Sequence, residues 1–159
     1  MDLTATLDTD APASTLFAWV DDLTTYPRWL DIVSRVVADP SGEAEAWIVD
    51  LRGRLGPLAR TKRLRMVRSR REEERLVVFE RQELDGRQHS AWVLQAELAD
   101  DGDRRRLDMH LHYGGGLFGA VLERLLADEV RRSRDRLRDL AAAGPPGAPA
   151  PETGPGAGS

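Results

Sequence analysis

The chain has 159 residues, of which 41% are apolar and 31% charged, with 27 acidic against 23 basic side chains and a net charge of −4. This acidic balance offers no excess positive charge to recruit nucleic acid, and the absence of cysteine removes disulfides, thiolate metal ligands and cysteine nucleophiles. The opening "MDLTATLDTD" has neither a basic start nor an apolar stretch, and no apolar run approaches the roughly 18 residues of a membrane span, so a cytoplasmic chain without integral membrane association is predicted.

Residues 2–8 alternate, with Leu3, Ala5 and Leu7 on one face and Thr4 and Thr6 on the other, which predicts a half-buried strand. In "DAPASTLFAWVDDL", Asp10 lies near an N-cap position and Pro12 suits a first helical turn. Leu16, Trp19, Val20 and Leu23 recur at helical spacing, so a helix ending near Leu23 is predicted. Thr24 and Thr25 can cap a second short helix that takes Pro27 in its first turn, where a missing N–H leaves nothing unpaired. Trp29, Ile32 and Val33 then share a face.

From residue 34 to 113 the period changes to two. Strands are predicted over 34–39, 46–52, 59–68, 75–84, 88–98 and 104–113, separated by Pro40-Ser41-Gly42, Gly53 to Pro57, the charged "SRREEE", Asp85-Gly86 and Asp100 to Asp103. Asp85-Gly86 is the sharpest hairpin signal. Consecutive short strands joined by turns make an antiparallel meander, packed on one face and wet on the other. The chain then enters "LFGAVLERLLADEVRRSRDRLRDLAAA", an amphipathic helix of about 25 residues, long enough at about 1.5 Å per residue to cross a sheet. Residues 1–143 form one domain. The segment 144–159, "GPPGAPAPETGPGAGS", holds five of the nine prolines and five of the 14 glycines, and is predicted to be a disordered tail.

Several motifs have plain structural readings. "GGGLFG" spells the dinucleotide-binding pattern through Gly114, Gly116 and Gly119, but no second parallel strand follows the helix, so the glycines serve to turn the chain and no cofactor is implied. In "LDMHLHYG", Asp108, His110 and His112 share a strand face that could chelate a metal; the opposite face carries Leu107, Met109, Leu111 and Tyr113, which makes the histidine face the solvent one, and no metal is predicted. Arg60 to Arg75 holds eight basic residues against three glutamates, without aromatic platforms for bases, and reads as a solvated strand and hairpin. In "LVVFERQ", either Val77 and Phe79 or Val78 and Glu80 point inward, and an inward Glu80 needs a cationic partner or a proton; the solvent-facing alternative is favoured. No serine elbow and no phosphate-cradling loop occurs.

Trp47 shares parity with Val49 and Leu51, and Trp92 with Leu94, Ala96 and Leu98, so both indoles project toward the packed side. A single terminal helix about 10 Å wide covers only part of such a sheet, and the remainder either collapses or encloses a hole.

The order strand, two short helices, six antiparallel strands and one long helix is α+β. On "APASTLFAWVDDLTTYPRWLDIVSRV", with its Ala-Pro, Asp, Tyr-Pro and Trp landmarks, on the Asp85-Gly86 hairpin and on the closing amphipathic helix, residues 3–142 resemble the START-like (SRPBCC) helix-grip superfamily of polyketide cyclases and dehydrases, lipid-transfer domains and quinone-binding proteins. The resemblance implies a curved antiparallel sheet wrapped around the long helix, with Tyr26, Pro27 and Trp29 beside the mouth of an internal cavity. A pocket on the order of 300–1,000 Å³ is the usual scale. The implied partner is a hydrophobic small molecule such as a polyketide, isoprenoid or lipid. Trp29, Trp47 and Trp92 are expected to line its site, with Met109, Leu111 and Tyr113 from the last strand and Phe118 and Leu122 from the helix. Two alternatives stand beside simple binding. One is a cyclase, aromatase or dehydratase drawing acid–base groups from Tyr26, Tyr113, Glu80 or an inward arginine. The other is an interaction module whose terminal helix and basic hairpin dock a partner. Neither a catalytic residue nor an oligomeric state follows from the pattern.

Overall fold

Strand β1 (Asp2–Thr9) is hydrogen-bonded not to its sequence neighbours but to the last strand, β7 (Arg104–Tyr113), with Leu3 opposite Leu111, Ala5 opposite Met109 and Leu7 opposite Leu107. The computed structural model describes residues 1–55, 58–115 and 119–147, and their side chains except at 54, 55, 58–60 and 119–122. After β1 come helix α1 (Ala13–Ala18), a 3₁₀ turn (Leu23–Arg28), and strands β2 (Val33–Asp39), β3 (Ala46–Leu55), β4 (Leu58–Glu72), β5 (Leu76–Arg81) and β6 (Trp92–Asp101). Helix α2 (Gly119–Ala143) follows β7. The sheet is antiparallel with order β1-β7-β6-β5-β4-β3-β2, the predicted meander closed at one edge by the first strand. This is the α+β helix-grip architecture.

The period-two pattern sorts the sheet into two faces. Val77 and Phe79 of β5, Leu64 of β4, Ala96 of β6 and Leu107 of β7 point inward and are buried with Leu16, Phe17 and Val20 of the first helical passage. The outer face is polar and cross-linked. Arg63 forks onto Asp50 at 2.7 and 3.0 Å, holding that carboxyl below the ordinary aspartate range. Arg65, 5% exposed, donates to the Asp39 carboxylate at 2.7 Å and to the carbonyls of Gln82 and Ser41. Within the basic strip, Arg63 and Arg65 thus tie β4 to β3 and β2, while Arg71, opposite the inward Val77, ties β4 to Asp21 of the helical passage at 2.9 Å.

Four local expectations differ in the structure. Helix α1 stops at Ala18 rather than near Leu23, because the next carbonyls are claimed by the following turn: Thr25 Oγ1 and Trp29 Nε1 donate to the Trp19 carbonyl at 2.9 and 3.2 Å, and Tyr26 Oη to that of Val20 at 2.8 Å. The second helix is a 3₁₀ turn capped by Asp22, whose carboxylate accepts from Thr24 N, with Pro27 inside it; Thr24 and Thr25 are not its caps. Only the last two residues of "SRREEE", Glu73 and Glu74, fall between strands. β4 runs on through Glu72, and the reversal falls at Glu73 to Arg75 with Glu74 at φ 57°. Asp85-Gly86 lies within the connection 82–91 between β5 and β6, with Gly86 at φ 71°, rather than forming a two-residue turn. The tail expectation from residue 148 onward lies outside the described residues.

Candidate ligand cavity

The inner face of the sheet, the 3₁₀ turn and α2 line a partly open cavity of about 150 Å³. Leu3, Ala5 and Leu7 of β1 face it beside Leu107, Met109 and Leu111 of β7, so one row of cross-strand pairs makes a wall. Val49 and Leu51 of β3, Leu64 and Met66 of β4, and Trp92 and Leu94 of β6 continue that wall. Tyr26, Trp29, Ile32 and Val33 cover one side, and Leu126, Val130 and Leu137 of α2 another. The void is smaller than the scale of drug-sized sites, on the order of 300–1,000 Å³. The Tyr26 and Trp29 rings, centroids 4.6 Å apart, occupy part of the space beneath the sheet. About 150 Å³ of apolar space accommodates a ligand of ring size.

The predicted residues divide. Trp29, Trp92, Met109 and Leu111 line the void. Trp47 is buried outside that lining, edge-on to Phe79 at 5.6 Å. Tyr113 packs against Trp92 with ring centroids 4.7 Å apart. Phe118 and the side chain of Leu122 lie outside the described residues. The ring of Tyr26 faces the cavity, but its hydroxyl is spent on the Val20 carbonyl, and burial pushes the phenol far above its ordinary value, so it stays protonated. Glu80 falls on the outer face because Val77 and Phe79, both fully buried, take the inward parity of β5. His110 and His112 also face outward, 3.2 and 2.9 Å from the Asp2 carboxylate, and that contact with His112 holds Asp2 below its usual range.

Two groups, one in the cavity wall and one beside it, were not singled out by the sequence. Glu129 of α2, 6% exposed, lines the void; its Oε1 accepts the Asp31 backbone N–H at 2.6 Å and its Oε2 accepts from Arg132 at 2.8 Å. Ser133, one turn further on, is buried with it and donates to the Val130 carbonyl. The signal was present: a glutamate sits between Leu126, Val130 and Leu137 within the apolar stripe of the helix, where a charge needs a partner. Lys62, exposed and beside the lining rather than in it, is the second. It shares the inward parity of Leu64 and Met66, and its Nζ lies 5.5 Å from the Trp92 ring centroid and 5.4 Å from that of Tyr113.

The chain resembles several solved structures in fold. A START superfamily protein from Mycobacterium smegmatis superposes with a TM-score of 0.64 at 15% identity, covering 89% of this chain and 97% of that one. The Zhui aromatase/cyclase of a Streptomyces species gives 0.63 at 14% identity, covering 89% and 93%. The di-domain ARO/CYC StfQ of the steffimycin biosynthetic pathway gives 0.63 at 13%, and there this chain spans 50% of the larger protein. No curated protein matches the chain by sequence. The family model described as polyketide cyclase / dehydrase and lipid transport matches residues 1–142. With the fold, the apolar chamber and that match in agreement, the chain belongs to the polyketide cyclase / dehydrase and lipid transport family, and its fold is START-like.

Proposed function

We propose that this protein binds a hydrophobic small molecule, of polyketide, isoprenoid or lipid type, in the cavity between the sheet and α2. The observation that supports it most is a partly open pocket walled by Leu, Ile, Val, Met and Trp side chains from both edges of the sheet to the helix, where burying apolar ligand surface contributes about 25 cal/mol per Å². A packed core would have filled it, since interiors close at near-crystalline density. Trp29 and Trp92 are suited to stack on a planar ligand, and Met109 and Leu111 to form its floor. Native mass spectrometry of the protein isolated from its own host tests this reading: a copurified apolar compound that leaves on denaturation is expected, whereas an unliganded mass together with no binding of any apolar ring compound in solution would overturn it.

A second reading, acid–base chemistry on the bound molecule, is favoured by one observation. Glu129 brings a carboxylate to the cavity wall, and a general base needs such a group within hydrogen-bond reach of its substrate. Turnover of a poly-β-keto substrate that is lost in Glu129→Gln while binding persists would establish it; equal turnover in the variant would eliminate Glu129 as the base.

A further inference from the structure

We infer that the Trp92 end of the cavity is a subsite for the carboxylate of an otherwise apolar ligand, with Lys62 as counter-charge and the Trp92 indole N–H as hydrogen-bond donor. This rests on the reading of the cavity as a ligand site, and deepens it to a chemical class: planar, apolar monocarboxylates.

Trp92 carries the first observation. It is 7% exposed, lines the cavity, and among the described residues its buried Nε1–H has no acceptor. Leaving a buried donor unpaired forfeits its hydration without replacement, and folded proteins seldom tolerate it. The same chain pairs two other indoles: Trp19 donates to the Gly144 carbonyl at 2.8 Å and Trp29 to that of Trp19 at 3.2 Å. The unpaired indole is the one at the cavity, where an incoming acceptor oxygen would satisfy it.

Lys62 carries the second, and it is independent of the first. It is the only lysine of the sequence, and it sits opposite the cavity residue Leu51 in the β3–β4 register. Its ammonium rests over two aromatic rings, which favour a cation electrostatically but accept no conventional hydrogen bond from its three N–H donors. The ion pairs among the described residues engage arginines and histidines throughout, and none engages Lys62. Lys62 is exposed and stands beside the lining rather than in it, so its ammonium can meet one oxygen of an anion whose other oxygen accepts from the buried Trp92 N–H. One ammonium balances one negative charge. A carboxylate is acceptor-only, so it meets both donors without bringing a donor of its own into an apolar chamber.

Three probes with one ring body separate the contributions: 2-naphthoate, 2-naphthamide and 2-methylnaphthalene, titrated calorimetrically into the full chain. Naphthoate is expected to bind about tenfold tighter than methylnaphthalene, the scale of a charge-assisted hydrogen bond, with naphthamide between them. Lys62→Met should bring naphthoate down to naphthamide, and Trp92→Phe should bring naphthamide down to methylnaphthalene. A direct readout guards against a misfolded variant. In the wild-type ¹H–¹⁵N spectrum, the indole resonance missing from Trp92→Phe should move with naphthoate and naphthamide and stay still with methylnaphthalene. Equal wild-type affinities for all three, or a Lys62→Met protein that keeps its preference for naphthoate, would overturn the carboxylate subsite and leave the cavity reading standing. Binding of none of the three would overturn both.

Discussion

Glu129 Oε1 accepts the backbone N–H of Asp31 at 2.6 Å, joining the middle of α2 to the segment between the 3₁₀ turn and β2. Arg136 returns from the same helix to the Asp31 carboxylate, so one short segment is held from two successive turns of α2. These contacts fix the helix against the cavity covers Leu30 and Ile32.

Removing that tie has a graded cost. Glu129→Ala is expected to lower unfolding stability by about 2 kcal/mol, the range for a hydrogen bond to a charged group, and Glu129→Gln by less than half of that because its amide oxygen can still accept. Urea denaturation compares the two. Equal losses would mean that the Asp31 N–H bond contributes nothing.

The Asp31 pair sets a pH dependence. The Arg136 hydrogen bond lowers the Asp31 carboxyl below its ordinary 3.8, so the ionised form is favoured in the folded state. A group with a depressed folded value stabilises fully above its unfolded value and loses that contribution as pH falls through the folded one. Asp31→Asn should therefore be less stable than wild type at neutral pH by at most about 1 kcal/mol, since the pair is solvent-screened, and the gap should close in acid. A gap independent of pH would exclude ionisation as its origin.

Gly115 lies where a side chain cannot fit beside Tyr113: an added Cβ would stand 1.9 Å from the tyrosine hydroxyl oxygen. Gly115→Ala should displace the Tyr113 ring from Trp92 and cost about 1–3 kcal/mol of overpacking. Thermal unfolding with near-ultraviolet circular dichroism reads both effects. An unchanged aromatic spectrum would show that the ring does not depend on this glycine.

Filling the void should exchange binding for stability. Ala5 faces the cavity from edge strand β1, opposite Met109, and Ala5→Ile suits a strand while taking up space. A gain of about 1 kcal/mol is expected, as for other cavity-filling substitutions. Calorimetric affinity for 2-methylnaphthalene should fall with it, and unchanged affinity would place the ligand elsewhere.

The alternation in residues 34–113 and the stripe of α2 determined the architecture by themselves. Inward parity is a property of the backbone repeat, so Trp92, Met109 and Leu111 could be assigned to the packed side before any partner was known. The same logic placed His110 and His112 outside. Where local signals failed, a distant group had taken the hydrogen bond. Nothing within "FAWVDDL" announces that the carbonyls of Trp19 and Val20 will be taken by Thr25, Trp29 and Tyr26, and so the first helix ends early. Only the tertiary structure decided that Glu129 meets Asp31, that Lys62 rests over Trp92 and Tyr113, and that Trp47 packs on Phe79 away from the void. Those contacts join residues far apart in the chain, and spacing along a sequence fixes which face a side chain takes but not what it meets across the core.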